Sequence, residues 1–217
     1  MRKTFISLAV LFFLFMVPGP VFSHPHMFID TEITFLFGPS ELKGFWVEWY
    51  FDEIFTASIR LDYDRDRSGS IDAREAREIR DNAFANLRHY NYFISLYHKG
   101  GIHEVSEVEN FSARLDSNRL VYRFFVPFSA EAGETAENLK LVIFDDTFFC
   151  DIVYLPEDPI HIEGAGTIEV ESEILINQDR GVVYDPVGGL GYTNTAGENV
   201  AGGEAFPYEL HLRFKKK

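Results

Sequence analysis

The sequence predicts an α+β fold, an antiparallel β-sandwich into which a helix–loop–helix spanning about residues 51–98 is inserted. Over most of the chain, apolar and polar residues alternate in short segments, which is the period of a strand with one buried face. Between 51 and 98 the apolar residues instead recur at every third or fourth position, as on one side of an amphipathic helix. Polar turn residues separate seven or eight short strand segments, an arrangement typical of a sandwich.

The first 23 residues have the pattern of a signal peptide. A basic start (Arg2, Lys3) precedes an apolar run over 5–17, and proline and glycine follow it. We expect cleavage after Ser23, which leaves His24 as the first residue of a periplasmic protein. The apolar run is shorter than the roughly 20 residues of a membrane span; an uncleaved anchor is the alternative.

Residues 24–217 are long enough to form one domain with a sizeable core. They carry 18 basic and 34 acidic residues, because two of the 20 basic residues lie in the leader. A surface this acidic argues against nucleic acid and anionic membranes as partners and favours cations. Cys150 is the only cysteine, so no intramolecular disulfide can form. It lies in a strand-like run and is interpreted as a buried core thiol rather than a nucleophile.

Strand segments occur on both sides of the helical insertion, which follows the second of them. The predicted strands are 26–36, 45–51, 106–115, 119–127, 139–145, 148–155, 167–176 and 207–214. Short polar sequences at 116–118 and 145–147 predict hairpin turns. The glycine-rich residues 188–203 lack the strand-to-helix setting of a phosphate-binding loop, so they predict a flexible surface loop.

The window 64–75 has the residue types of an EF-hand calcium loop at every constrained position. Calcium takes about six to eight oxygen ligands, and Gly69 stands where such a loop turns sharply. The predicted ligands are Asp64, Asp66, Ser68, the backbone carbonyl of Ser70, Asp72 through a water, and both carboxylate oxygens of Glu75. Ile71 supplies the apolar residue at position eight. The alternative is an acidic surface loop that matches by chance.

Amphipathic segments flank this window, as a helix–loop–helix requires. Their apolar residues are Phe51, Ile54, Phe55 and Ile59 before the loop, and Ala76, Ile79, Ala83, Leu87, Tyr90 and Ile94 after it. Within the loop, four carboxylates face three arginines, which leaves a local charge near minus one. We therefore expect a calcium dissociation constant of roughly 10⁻⁴ to 10⁻³ M, as in extracellular modules.

The expected mature N-terminus carries a second metal signal. A terminal His24 can chelate a metal through its α-amine and its imidazole, and His26, two residues on, can add a third nitrogen. Asp30 falls on the same face of the strand and could bind the metal or orient an imidazole. Nitrogen ligands suit copper, nickel, cobalt or zinc rather than calcium. A polar entry into a strand is the alternative.

Catalytic chemistry has little support in the sequence, so we predict that the protein is not an enzyme. It has no serine in a Gly-x-Ser-x-Gly turn and no His-Glu-x-x-His pair. His98 and His103 could approach each other across a glycine turn, but solvated or capping roles are favoured. The adjacent Asp145 and Asp146 suit a turn better than an acid–base pair.

Several of these motifs together resemble a bacterial family of unknown function. They are the leader, His24-Pro25-His26, Trp49-Tyr50-Phe51-Asp52-Glu53, the EF-hand-like loop, and Phe144-Asp145-Asp146-Thr147-Phe148-Phe149. The family is labelled as the periplasmic component of an uncharacterised ABC-type transport system and is associated with nickel/cobalt-type exporters. The resemblance covers nearly the whole mature chain except 188–203. It implies periplasmic metal handling, with His24 and His26 as ligands.

The sequence thus predicts a periplasmic metal-binding accessory protein. Calcium would occupy the EF-hand-like loop, and a transition metal such as nickel, cobalt, copper or zinc could be presented to a membrane metal exporter or ABC-type transporter. One alternative is a calcium-stabilised structural or interaction module without transition-metal function. A second is a copper-dependent oxidative enzyme that uses the N-terminal histidine.

Overall fold

Most strands of the protein belong to two sheets, and the alternating apolar side chains of both sheets form one hydrophobic core. The computed structural model describes residues 26–184 and 203–217. Within these ranges the strands are β1 (Met27–Phe37), β2 (Glu41–Phe51), β3 (Ile94–His98), β4 (Gly101–Glu104), β5 (Glu109–Asp116), β6 (Arg119–Glu131), β7 (Glu137–Ile143), β8 (Cys150–Tyr154), β9 (Ile160–Glu163), β10 (Ile168–Ile176), β11 (Val182–Tyr184), β12 (Gly203–Ala205) and β13 (Tyr208–Lys216). The helices are α1 (Glu53–Tyr63) and α2 (Ala73–Asn82), followed by a stretch of 3-10 turns over Phe84–Phe93.

The first sheet has the order β5-β6-β2-β1-β8, and β9 also pairs with β1. The second sheet has the order β10-β13-β7-β3-β4, and β11 pairs with β12 separately. The eight predicted strands all occur, and the predominantly β architecture with two sheets agrees with a sandwich-like α+β fold.

The predicted antiparallel β-sandwich is confirmed only in part. The second sheet is antiparallel throughout, but β8 and β9 both run parallel to β1 in the first sheet. A parallel neighbour needs a connection that returns the chain to the same end of the sheet. The chain reaches β8 of the first sheet directly from β7 of the second sheet. The alternation of apolar and polar residues within one strand does not show which sheet the strand joins or in which direction it runs.

The core lies between the two sheets and is rich in aromatic rings. On β1 and β2 the inward positions alternate, and Phe35, Phe45 and Trp49 are fully buried. The ring of Phe37 on β1 lies 5.4 Å from that of Phe214 on β13, which joins the two sheets edge to face. On β13, Leu210 and Leu212 are buried beside Phe214, as the alternation predicted.

The helical insertion follows β2, as predicted, but its second half is not one long helix. Helix α2 ends at Asn82, and the 3-10 stretch contains non-helical dihedrals at Tyr90, Asn91 and Tyr92. Ile94, assigned to the helix by its spacing, begins β3, where it pairs with Ile143 of β7. Pairing of β3 with β7 therefore decides the structure at Ile94, although the spacing of apolar residues there continues that of a helix.

One of the two predicted hairpin turns occurs. Asp116 pairs with Arg119, and the intervening Ser117 and Asn118 both have positive φ, so a tight turn joins β5 to β6. The prediction of a hairpin at 145–147 is wrong, because β7 and β8 belong to different sheets. Asp145 instead caps a crossover turn.

Three sequence predictions lie outside the described residues: the leader, His24, and nearly all of the glycine-rich stretch at 188–203. In the part of the chain that the structure describes, no helix has the length and apolar character needed to cross a bilayer.

Candidate metal centre

Aspartates cap the starts of both helices that flank the loop, α1 and α2. Asp52 accepts the Phe55 N–H at 2.9 Å at the start of α1, and it also accepts the Phe28 N–H of β1 at 2.8 Å. Asp72 begins α2 by accepting the N–H groups of Arg74 and Glu75, at 2.7 and 2.8 Å. These caps satisfy N–H groups that have no partner within a helix. The start of α1 is thereby tied to β1, and the C-terminal end of the loop is joined to α2.

Glu75 closes the loop from its C-terminal side. One carboxylate oxygen accepts the Asp72 N–H at 3.0 Å, completing a capping box, and the other accepts the Arg65 N–H at 3.1 Å. The side chain therefore reaches back across the loop to its first residues. Glu75 is only 1% exposed, which is unusual for a carboxylate without an ion-pair partner.

Three of the predicted ligands converge. Carboxylate oxygens of Asp64, Asp66 and Glu75 all lie within 4.8 Å of one another, although 11 residues separate the first from the last. Asp64 is also largely buried, at 7% exposure, whereas Asp66 is exposed. Like charges this close repel one another, and the repulsion grows where water is excluded. A hard divalent cation between the oxygens would offset it.

Backbone N–H groups hold the first two carboxylates in place. The Ser68 N–H donates to Asp64 Oδ1 and to Asp66 Oδ1, both at 2.9 Å, and the Gly69 N–H donates to Asp64 Oδ2 at 3.0 Å. The hydrogen bond from Ser68 is the main reason why the pKa of Asp66 is lowered. Asp66 therefore carries its charge throughout the neutral range.

The remaining predicted ligands lie outside the three-carboxylate cluster. The hydroxyl of Ser68 lies 3.0 Å from that of Ser70 and donates to the Ser70 carbonyl at 3.2 Å. Asp72 uses one oxygen as the helix cap described above. A cation bound through the Ser70 carbonyl would compete with the Ser68 hydroxyl.

The glycine and the apolar residue of the loop behave as the sequence predicted. Gly69 has φ +76°, a conformation that side chains rarely adopt. Ile71 is partly buried and packs against the core. Charge near the loop is mixed, since Arg65 pairs with Glu78 at 2.9 Å, and Arg60 Nη2 would lie 3.9 Å from a Cβ at Gly69.

The comparison with known protein families covers both the sheets and this loop. A family described as "Protein of unknown function (DUF1007)" matches residues 9–175, more than three quarters of the chain. The chain belongs to this family. The match includes the helical insertion and ends within β10.

Two relatives of this DUF1007 protein are themselves uncharacterised. One, an "Uncharacterized 15.5 kDa protein in trpE 3'region" of Spirochaeta aurantia, is 28% identical over 127 residues, which cover 57% of this chain and 90% of the relative. The other, an "Uncharacterized protein" of Haemophilus influenzae, is 25% identical over 160 residues, covering 73% of this chain and 74% of the relative. Membership therefore supplies a family but no activity, and neither name mentions transport.

In this DUF1007 protein, His26 lies exposed at the entry to β1. Its N–H donates to the Phe149 carbonyl at 2.8 Å, and the two rings lie 5.0 Å apart. Asp30, predicted to assist the N-terminal site, accepts a hydrogen bond from Arg119 Nη1 at 2.7 Å. His26 is thus held against the turn that precedes β8, a neighbour that sequence spacing did not indicate.

The other candidates from the sequence have structural partners. His98 Nε2 lies 2.9 Å from Glu137 Oε2, and the His98 and His103 rings approach to 6.2 Å across the β3–β4 hairpin. Cys150 is buried, as expected. Burial, together with the Asp145 carboxylate, raises the pKa of its thiol to about 12.

Sequence reasoning missed the backbone contribution to the loop and a cavity where the helical insertion meets the first sheet. The N–H groups of Arg65, Ser68 and Gly69 orient carboxylates, but every residue except proline has a backbone N–H, so the sequence carries no signal for them. The cavity lies against Trp49 and Tyr122. Its only sequence signal is an aromatic content of 16%, which predicts a core equally well.

Proposed function

We propose that the protein is a periplasmic metal-binding accessory protein whose loop 64–75 is an EF-hand-like calcium site. The convergence of Asp64, Asp66 and Glu75 supports this proposal most directly. Hard oxygen ligands from an irregular loop suit calcium, which accepts irregular geometry, better than magnesium, which demands a compact octahedron. In this proposal calcium neutralises the three carboxylates and fixes α1 against α2.

Serving a metal transporter is the second part of the proposal. It rests on the sequence resemblance to periplasmic components of ABC-type transport systems and on the acidic composition, which favours cations. In this role the mature N-terminus presents a transition metal through the amine and imidazole of His24, with His26 adding a nitrogen. His26 is exposed at the entry to β1.

Metal content of the native mature protein tests the proposal against its two alternatives. Protein exported with its own N-terminus should retain calcium, and nickel, cobalt, copper or zinc should bind in addition at about one ion per chain. Calcium alone would favour the structural or interaction module. Copper alone with redox activity would favour the oxidative enzyme, and a chain that binds neither class of metal would contradict the proposal.

A further inference from the structure

Two histidines and a glutamate lie on the same face of three neighbouring strands in the second sheet. His98 of β3 pairs with Gly101 of β4 and with Leu139 of β7. His103 and Glu137 each lie two residues from those partners, so the three side chains project from one face of the sheet. Diagonal neighbours of this kind are about 7–8 Å apart, which is within reach of long side chains.

The two imidazoles and the carboxylate lie close to the separations that one metal ion requires. His98 Nε2 lies 2.9 Å from Glu137 Oε2, and the ring centres of His98 and His103 lie 6.2 Å apart. With metal–ligand distances of about 2.0–2.2 Å in a tetrahedral site, a nitrogen and an oxygen ligand lie roughly 3.4 Å apart, and two imidazole centres roughly 5 Å apart. Shifts on the order of 1 Å would therefore place all three side chains around one ion.

His103 is the side chain that must move, and the structure leaves room for the movement. It is exposed on β4, and Gly101, which faces His98 across the hairpin, has no side chain. A Cβ at Gly101 would lie 4.0 Å from His103 Nε2, so this nitrogen lies beside the position opposite His98. Phe128 of β6 contacts both imidazoles, with ring centres 5.4 Å from each, and forms one wall that both rings share.

The carboxylate is partly buried and is also accessible to an ion. The side chains of His98 and Glu137 are 8% and 18% exposed, yet both residues line an open groove of about 760 Å³. Through this groove an ion and a water molecule can reach the cluster. Lys99 Nζ lies 3.4 Å from Glu137 Oε1, and its side chain is 66% exposed, so it can move away when another cation neutralises the carboxylate.

We propose that His98, His103 and Glu137 bind a divalent transition-metal ion, with a water molecule from the groove as the fourth ligand. Imidazole nitrogens together with a carboxylate oxygen suit zinc and related ions. Because His103 must turn and Lys99 must leave before the ion binds, the site should fill when metal is added rather than retain an ion through purification.

This cluster lies at the opposite end of the sandwich from the calcium loop and the entry to β1. Phe128 follows Pro127, which pairs with Gly44 near the start of β2. The helical insertion instead follows Phe51 at the end of β2, and β1 begins beside that same end. The cluster is therefore separate from both metal sites proposed above and does not depend on either.

Zinc calorimetry on the full mature chain tests the proposal once the other two sites are silenced. His24→Ala and His26→Ala remove the N-terminal imidazoles, and millimolar calcium competes for the loop 64–75. This parent chain should bind zinc saturably at the cluster, with one ion per chain, whether or not the loop has taken up calcium.

His103→Ala in this parent should weaken zinc binding at least about tenfold, since even groups that only orient a metal ligand are worth about 10–100-fold in affinity. His103 is exposed, so the unfolding temperature without zinc should equal that of the parent. Glu137→Gln keeps the size of the side chain, removes its charge, and should weaken zinc binding similarly.

His161→Ala is the matched control, because His161 Nε2 lies 3.8 Å from Glu32 Oε2 as a histidine–carboxylate pair of the first sheet. It should leave the zinc affinity unchanged. The proposal is overturned if the parent shows no saturable zinc binding, or if His103→Ala or Glu137→Gln binds zinc as tightly as the parent. It is also overturned if His161→Ala weakens binding as much as His103→Ala.

Discussion

At the scale of single residues, Glu75 connects local structure to the proposed function. Its two carboxylate oxygens accept N–H groups from opposite ends of the loop, so one side chain both begins α2 and closes the cluster. A side chain 1% exposed pays a desolvation cost as an anion, which two backbone hydrogen bonds offset only in part. A bound calcium ion would offset the rest of the desolvation cost of the Glu75 carboxylate.

Gly69→Ala should destabilise the protein through the backbone alone. Gly69 has φ +76°, and a Cβ there would meet no atom closer than 3.9 Å. The expected loss is about 1 kcal/mol in the free energy of unfolding, measured by urea denaturation. Gly166→Ala is the control, because Gly166 has open space around it and no positive φ. Equal stability of the two variants would mean that the loop does not need its left-handed turn.

Cys150 should be protected from thiol reagents in the folded protein. Burial raises its pKa to about 12, so little thiolate forms near pH 8, where a free thiol begins to ionise. The neutral Cys150 thiol is favoured in the folded state, where its pKa is higher than in the unfolded chain. The stability that this difference provides is fully present below the unfolded pKa and is lost as pH rises towards the folded pKa. Labelling with a thiol reagent at about pH 8 should be slow in buffer and rapid in denaturant; rapid labelling of the native chain would refute the burial of this thiol.

At the scale of elements, the insertion is attached to the first sheet by one buried polar contact as well as by apolar packing. The Leu120 N–H of β6 donates to Thr56 Oγ1 of α1 at 3.0 Å, and Ile59 and Ile79 are buried in the common core. The inward face of α1 therefore contains Thr56 and Ile59. Ile54, assigned to that face by its spacing, is 83% exposed.

Thr56→Val should weaken the attachment of α1 to β6. Valine has nearly the same shape but leaves the buried Leu120 N–H without an acceptor, at an expected cost of about 1–3 kcal/mol. Ser58→Ala, on the exposed side of the same helix, should change stability little. Urea denaturation of both variants makes the comparison, and a Thr56→Val midpoint equal to that of wild type would rule out the role assigned to this hydrogen bond.

The sequence predicted the strands with clear alternation and the helix–loop–helix, because each depends on local periodicity or on short-range capping. It did not predict β3, since Ile94 continues the helical spacing and only pairing with β7 selects a strand there. The parallel β1–β8 and β1–β9 pairs were also missed, because strand direction depends on the route of the chain between sheets. In the loop, residue types predicted which carboxylates converge, but not the engagement of Ser68 with Ser70.

At the scale of the whole molecule, the chain combines a formal charge of −14 with a core shared by sheets and insertion. The acidic surface raises the local concentration of cations and fits the proposed metal sites. The His26 ring contacts Phe149, which also lines the cavity, so His26 and the cavity lie in the same region of the fold.

Extending the mature chain by one residue before His24 should abolish tight binding of transition metals. The extension converts the terminal amine into an amide and leaves both imidazoles intact, whereas His26→Ala keeps the amine–imidazole chelate and should weaken binding less. Affinity should fall as pH drops through about 7.7 and 6.5, the ordinary pKa values of the amine and imidazole. Calorimetry with copper, nickel, cobalt and zinc makes the measurement; equal affinity of native and extended chains would exclude the chelate.

Thermal unfolding with and without calcium tests the central claim most directly. At a free concentration about 100 times the dissociation constant, calcium should stabilise the wild type by about 2.7 kcal/mol, and magnesium by much less. Glu75→Gln should remove most of that shift, while Glu78→Gln, the same change one turn further along α2, should retain it. No calcium-dependent shift in the wild type, or an equal shift in Glu75→Gln, would contradict a calcium site in the loop 64–75.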